Sequence, residues 1–208
     1  MSTRRWIGNA ANITQITTIA IANTWATGDV AILTINGNNL ELTVGSDSAT
    51  TDVAAAISAA VNATSRTANL VNDESRNIGG QEIPEFREVT ASVSGSTVTL
   101  TGNTPGKPFT VSVSETTAGN GTVGSPNTTQ AATGKNHFDN ADNWTGGAVP
   151  VDADDIVFDS GNVDCLYGLA QSSVTPASIT RTAGYEGRIG LAEYNADDHP
   201  RCESSLQA

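Results

Sequence analysis

Short runs of alternating apolar and polar residues, separated by turns of Gly, Asn and Ser, constrain this chain to a mainly β fold. The clearest case is a hairpin whose strands, at residues 30–35 and 40–44, flank a turn that begins with Asn36 and Gly37. An Asn-Gly pair tolerates the positive φ angles that a tight hairpin turn requires. Every other residue of the second strand is apolar, so we expect one buried face and one face in water.

The same reasoning predicts an α+β arrangement for the first half of the chain. Further strands are expected within residues 13–24 and at 89–93, 97–101 and 109–114. One helix is expected over residues 51–62, because its apolar residues repeat at helical spacing in a narrow stripe. Thr50 or Thr51 is expected to cap the helix, and Asp52 lies in the first turn, where the helix dipole favours a negative charge.

Composition narrows the class of protein. Charged residues make up 15% of the chain, against about 25% in an average soluble protein. The net charge of −12 repels phosphate groups, so we expect no direct contact with nucleic acid. No apolar run approaches the roughly 18 residues that span a bilayer, so we expect no membrane segment. We also find no signal-peptide pattern, which favours synthesis and release in a cytoplasm.

Composition shifts along the chain predict four regions. Residues 1–12 are expected to be an N-terminal arm, residues 13–117 an α+β module, and residues 118–135 a linker poor in core-forming side chains. Residues 136–208 are expected to be β-rich, with short strands typical of a β-solenoid or a sandwich. The polar end of the chain shows no strand pattern and no capping element, which is consistent with a truncated form of a longer protein.

The module resembles a known type of insertion. Its hairpin is followed by the helical sequence Thr-Thr-Asp-Val-Ala-Ala-Ala-Ile and then by Val-Thr-Ala-Ser-Val-Ser-Gly-Ser-Thr-Val-Thr-Leu-Thr-Gly. This order is similar to the small α+β insertions of flagellin and related surface proteins, and to modules of phage tail and virion proteins. The phrase at residues 101–111 is typical of the same group.

The second half resembles the start of a β-helical region. The resemblance rests on Phe-Asp-Asn-Ala-Asp-Asn-Trp at residues 138–144 and on Asp-Asp-Ile-Val-Phe at residues 154–158. With the segment at 164–169, the whole layout looks most like predicted bacteriophage structural proteins. The resemblance implies a virion component and supplies no catalytic residues.

A group of aspartates offers the only candidate metal site in the sequence. Carboxylates at short spacing are the hard oxygen ligands that Ca²⁺ prefers. However, neither the EF-hand pattern nor a Gly-rich calcium repeat is present. We therefore favour turn-forming, solubilising aspartates over a calcium site. The weak candidates are Asp152, Asp154, Asp155 and Asp159, with Asp139 and Asp142 upstream.

Other candidate chemistry has little support in the sequence. The two histidines, His137 and His199, belong to no metal-binding motif, and no nucleophile or phosphate-binding motif is present. Cys165 and Cys202 form no CxxC, and their pairing stays open. Trp144 and a second tryptophan, at position 25, could stack on sugars, but a structural anchor is the more usual role.

These observations together favour a non-catalytic structural protein of a bacteriophage particle, tail-associated or on the capsid surface. We expect it to be assembled in the host cytoplasm, to contact other virion subunits, to form homo-oligomers and to need no cofactor. One alternative is a secreted or cell-surface adhesin or carbohydrate-binding module, for which a host-surface glycan would be the ligand. Another is a polysaccharide-degrading enzyme, which would need two carboxylates across a cleft.

Overall fold

The computed structural model describes residues 2–46, 48–64, 83–116, 120–191, 193–194 and 200–201. The chain divides into two compact units. One, which we call the stacked unit, combines Met1–Asn12 with Thr133–Ala208, and the other, the module, is Ile13–Ala132. The module is therefore an insertion in the sequence of the stacked unit.

The fold is mainly β, as the sequence predicts. Most elements are short strands, and the described residues include one α-helix. In chain order the elements are β1 (Thr3–Arg5), β2 (Ile16–Ala22), β3 (Val30–Ile35), β4 (Asn38–Thr43), α1 (Thr50–Asn62), β5 (Val89–Ser94), β6 (Thr97–Gly102), β7 (Val111–Thr116), β8 (Thr122–Val123), β9 (Asn127–Gln130), β10 (Asp155–Phe158), β11 (Ser178–Arg181), β12 (Glu193–Tyr194) and β13 (Pro200–Arg201).

Two antiparallel sheets and the helix enclose the core of the module. One sheet has the order β5-β6-β2, with β8 and β9 both on the far side of β2, and the other has the order β4-β3-β7. In β3, β4 and β6 alternate residues point inward, and aliphatic and aromatic side chains fill the interior. Trp25 and Phe86 are the largest buried side chains of this core.

The predicted hairpin is present. β3 and β4 pair from Val30 opposite Thr43 to Ile35 opposite Asn38, which leaves Asn36 and Gly37 as a two-residue turn. The φ angles of these two residues are 48° and 87°, so both adopt the left-handed conformation. This is the conformation that the Asn-Gly pair predicts.

The predicted helix is also present, but its cap is not. α1 begins at Thr50, and the preceding Ala49 occupies the N-cap position without a side-chain hydrogen bond. The expected threonine cap is wrong because Thr50 is already in helical conformation. The apolar stripe is confirmed, since Val53, Ile57 and Val61 are buried.

Part of the expected linker is sheet. β8 and β9 lie within residues 118–135, and both pair antiparallel with β2. The sequence did not indicate these strands, because they contain few large apolar side chains. Strands pair through backbone hydrogen bonds, which need no apolar residues. Close packing is a second reason for the small residues of this segment, since a Cβ at Gly121 would lie 2.5 Å from the ring of Trp25.

Parallel strands build the stacked unit. β1, β10 and β11 form a parallel sheet in that order. Beyond the strands, three isolated bridges, between His137 and Tyr167, Gly161 and Tyr185, and Cys165 and Ile189, are parallel as well. Hydrogen bonds between the layer of β10 and the layer of β11 join residues that are 23 or 24 positions apart, so one turn of the chain has about this length. Of the two predicted alternatives, this is the solenoid arrangement.

Residues 1–12 differ from the expected arm. β1 pairs in parallel with β10, from Thr3 opposite Asp155 to Arg5 opposite Val157. Trp6 follows β1 and is only 2% exposed in the core of the stacked unit. The sequence could not show this pairing, because the two strands are about 150 residues apart.

The ends of the insertion lie close together within each unit. In the stacked unit, the side chain of Asn12 accepts a hydrogen bond from the N–H of Lys135 at 3.0 Å. In the module, the side-chain amide of Gln130 donates to the carbonyl of Thr14 at 2.7 Å. Adjacent ends are what an inserted domain needs to leave its host fold intact.

The end of the chain and one internal segment are largely outside the described residues. The expected irregular stretch at 65–87 is described only from residue 83 onward. Near the C-terminus, β12 and β13 pair antiparallel, and the sequence did not predict either strand.

A fragment of residues 13–132 is expected to fold alone, and a fragment of residues 13–117 is not expected to reach the same stability. The shorter fragment lacks β8 and β9, so it uncovers one edge of β2 and the ring of Trp25. Trp25 is the only tryptophan in either fragment, and its fluorescence during urea unfolding measures both effects. Equal midpoints and equal emission maxima for the two fragments would show that these strands do not stabilise the module.

Candidate functional site

The candidate carboxylates lie on and around β10, where they join neighbouring layers of the stack. Asp152 accepts a hydrogen bond from the N–H of Thr175 at 2.7 Å. Asp155 accepts one from the hydroxyl of Ser178 at 2.6 Å. Each partner is 23 residues further along the chain, so each bond joins one layer to the next.

Asp154 ties the start of the chain to β10. Its carboxylate accepts the N–H of Ser2 at 2.8 Å, the Nε–H of Arg4 at 3.3 Å and the N–H of Val151 at 3.3 Å. Its side chain is only 4% exposed. The hydrogen bond from Ser2 has the largest effect on the pKa of Asp154, and together with the bonds from Val151 and Arg4 it outweighs the opposing effect of burial, so the pKa is lowered.

Asp159 continues the same pattern at the end of β10. Its carboxylate forms an ion pair with Arg5 of the first layer. Its backbone carbonyl accepts the hydroxyl of Thr182, 23 residues later, at 2.9 Å. The residue therefore contacts the layers on both sides of it.

Asp164 is an ion-pair residue that the sequence did not single out. It accepts hydrogen bonds from the backbone N–H of Arg188 at 2.7 Å and from its guanidinium Nη2 at 2.7 Å. Burial raises the pKa of Asp164, but these bonds outweigh burial and lower the pKa overall. An acid followed by an arginine 24 residues later is the sequence signal that could have revealed this contact.

The structure does not bring the calcium candidates together as a ligand set. Among the described residues, no group of three or more His, Cys, Asp or Glu side chains is close enough to hold a metal ion. Upstream, Asp139 lies 3.6 Å from the imidazole of His137. Asp142 lies in the first turn of a short 3-10 helix, Ala141–Asn143. The carboxylates act mainly as hydrogen-bond acceptors for the protein itself.

The two tryptophans considered as sugar platforms are buried. Trp144 is 1% exposed, and its indole N–H donates to the carbonyl of Phe138 at 2.7 Å. It packs edge-on against Trp6, with ring centroids 5.1 Å apart, and also against Phe158. Trp25 is fully buried in the module. The prediction of a structural anchor is therefore confirmed for Trp144, and the burial of Trp25 is of the same kind.

Asn143 organises the first layer, and sequence reasoning missed it. Its side-chain oxygen accepts the N–H of Ala10 at 2.8 Å, and its amide donates to the carbonyls of Gly134 and His137. Its own carbonyl accepts the N–H of Ile7 at 2.8 Å. This buried asparagine thus joins the segment before the insertion to the segment after it, and nothing in the local pattern marks the role.

The remaining candidates for a nucleophile and a base, Cys165 and His137, are both buried. Cys165 is fully buried, and burial, with a smaller effect of Asp139, raises the pKa of its thiol to about 12. The thiol is therefore protonated at neutral pH, whereas nucleophilic cysteines are thiolates. His137 is 5% exposed, and its ring lies 5.0 Å from that of Tyr167. His199 and Cys202 lie outside the described residues.

One apolar residue of β11 is exposed to solvent. Ile156 in β10 is 3% exposed, whereas Ile179, which pairs directly with it in β11, is 57% exposed. Matching positions of neighbouring parallel strands point to the same face, so Ile179 lies on the face of the sheet that is buried in β10.

Comparison with known proteins adds no assignment, since no protein-family model and no curated protein matches the chain. None of the helices in the described residues has the length and apolar character needed to cross a bilayer.

Replacing Asp154 with Asn is expected to remove part of the acid sensitivity of the stacked unit. Because folding lowers the pKa of Asp154 below its unfolded value of about 3.9, the ionised group stabilises the fold above about pH 4. That contribution is lost as the pH falls through the lowered, folded-state pKa. Unfolding midpoints in urea between pH 2 and pH 6 should therefore decline less steeply for Asp154→Asn than for the parent chain.

The measurement is best made in a Trp25→Phe background, so that tryptophan fluorescence reports only on the stacked unit. Matching near-ultraviolet circular dichroism spectra at pH 7 would show that the Asn variant keeps the native packing. If the unfolding midpoint of the Asn variant declined with falling pH as steeply as that of the parent chain, the contacts of Asp154 with Ser2 and Arg4 would not contribute to stability.

Proposed function

We propose that this protein is a non-catalytic structural component of a bacteriophage virion, tail-associated or on the capsid surface, that acts through subunit assembly. The observation that carries the proposal is that acidic side chains of this protein hold neighbouring layers of the stack together. Asp152, Asp155 and Asp164 each hold a backbone or side-chain donor of the next layer. In such a protein, charged groups hold the layers of a stack together and do not form a reactive site.

The candidate catalytic groups support the same role. The thiol of Cys165 is buried and protonated, and the carboxylate of Asp154 is held by three donors. A nucleophile or general base has to reach a substrate, and these groups are occupied within the fold. Their arrangement is that of structural contacts.

The inserted module supports a display role within such a particle. Its two ends lie side by side, so the stack can carry the whole domain without interrupting its own layers. Insertions of this kind place a second folded surface on a repetitive scaffold. In the proposed virion, the stack makes subunit contacts and the module provides the additional surface.

Mass spectrometry of purified particles tests the proposal. In particles of the phage that encodes the chain, peptides from both the stacked unit and the module should be present at a constant ratio to the major capsid protein. That ratio should persist through successive density gradients, whereas a non-structural phage protein followed in parallel should be depleted. Depletion of this chain along with the non-structural protein would rule out a virion role.

A further inference from the structure

We propose that Lys107 and Asn36 of the module form an intramolecular isopeptide bond, with Glu88 as the group that transfers protons between them. The bond joins the Nζ of the lysine to the side-chain carbonyl carbon of the asparagine and releases one molecule of ammonia. This inference goes beyond the proposed function and does not depend on it. It rests on where the three side chains lie and on how the asparagine amide is held.

Three segments of the chain meet at one end of the module. Asn36 begins the turn between β3 and β4, Glu88 directly precedes β5, and Lys107 lies in the connection between β6 and β7. The Nζ of Lys107 donates to Oε1 of Glu88, and the Nδ2 of Asn36 donates to Oε2 of the same carboxylate at 3.0 Å. One carboxylate therefore contacts both the nitrogen that attacks and the nitrogen that leaves.

The carboxamide of Asn36 is held in an orientation that favours attack on its carbonyl carbon. Its Oδ1 accepts hydrogen bonds from the backbone N–H of Thr110 at 2.8 Å and from the hydroxyl of the same residue at 3.3 Å. Such donors stabilise the negative charge that a carbonyl oxygen acquires in a tetrahedral intermediate. The backbone N–H of Asn36 also donates to the carbonyl of Thr110 at 3.1 Å, so both its main chain and its side chain are fixed.

The reaction balances with these groups alone. The carboxylate of Glu88 accepts one proton from the ammonium group of Lys107, and the nitrogen lone pair attacks the carbonyl carbon of Asn36. Glu88 passes that proton to Nδ2 and accepts a second one from Nζ as the bond between the carbonyl carbon and Nδ2 breaks. The products are a secondary amide and ammonia, the second proton goes to solvent, and no oxidant or reductant is consumed.

The site is suited to a slow reaction that each chain undergoes once. The side chains of Lys107 and Glu88 are 41% and 30% exposed, and Asn36 is also half-buried. Lysine amines are mostly protonated at neutral pH, so the attack is slow. Because the amine and the carboxamide are held near each other in one folded module, a small neutral fraction is sufficient over time.

The bond adds a covalent link where the module has only hydrogen bonds and an ion pair. It connects the hairpin of β3 and β4 to the segment that joins the two sheets. The closed loop of about 70 residues contains α1, β5 and β6, so the cross-link restricts the unfolded chain and stabilises the module.

The intact mass of the full chain tests the inference. The denatured protein should be lighter than its sequence mass by one molecule of ammonia, and a protease digest should contain a branched peptide that joins the segments of Asn36 and Lys107. The sequence has only two lysines, so Lys135→Arg is the matched control. We expect the mass loss to persist in Lys135→Arg and to be absent in Lys107→Arg, which keeps a cation beside Glu88.

A competing reaction gives the same change in mass and has to be distinguished. An Asn-Gly pair can lose ammonia when the backbone nitrogen of Gly37 attacks the carboxamide of Asn36. That cyclisation does not involve Lys107, so it persists in Lys107→Arg and yields no branched peptide. A mass loss that survives in Lys107→Arg, or a parent chain that retains its full sequence mass, would overturn the proposal.

Glu88→Gln tests the proton transfer. Glutamine keeps the size of the side chain but cannot take a proton from the lysine, so we expect cross-linking at least about tenfold slower than in the parent chain. The mass of pulse-labelled chains, followed from synthesis onward, gives both rates, and matching circular dichroism spectra show that the variant folds. Equal rates in the two proteins would contradict the role of Glu88.

Discussion

The parallel pairing of β1 with β10 is the contact on which the rest of the structure depends. It joins Thr3–Arg5 to Asp155–Phe158 and places Trp6 among the aromatic rings of the stacked unit. Closing a loop of about 150 residues has an entropic cost that grows only slowly with length, so a folded insertion within that loop is tolerated. The module can therefore interrupt the chain without interrupting the stack, provided that its two ends stay together.

The distribution of charge follows from this stacking. A chain with a net charge of −12 would repel itself if its carboxylates were grouped without partners. In the stacked unit they face donors instead, as Asp154 faces Ser2 and Arg4, and Asp164 faces Arg188. The aspartates that look like metal ligands in the sequence lie around β10, where they contact the layers on both sides of it. Their role is to fix the register between turns of the chain.

Sequence patterns predicted the local elements of the module well. The hairpin at Asn36-Gly37 and the apolar stripe of the helix both depend on neighbours within a few residues, where periodicity and turn chemistry act. The N-cap residue was less predictable, because the helix begins one residue earlier than expected and Thr50 therefore lies inside it.

Contacts between distant segments could not be predicted in the same way. β9 has no buried side chain and is defined only by its pairing with β2, so its composition looked like that of a linker. Asn143 resembles any turn asparagine until the segments on both sides of the insertion converge on it.

Amide hydrogen exchange measured by NMR tests the pairing of β1 with β10 most directly. The N–H of Trp6 donates to Val157, and the N–H of Asp155 donates to Ser2, so both amides belong to the same ladder. We predict that the two exchange with the same free energy of opening, since neither bond can break without separating the strands. Exchange of the Trp6 amide at the rate of an unstructured peptide, with Asp155 still protected, would contradict the account.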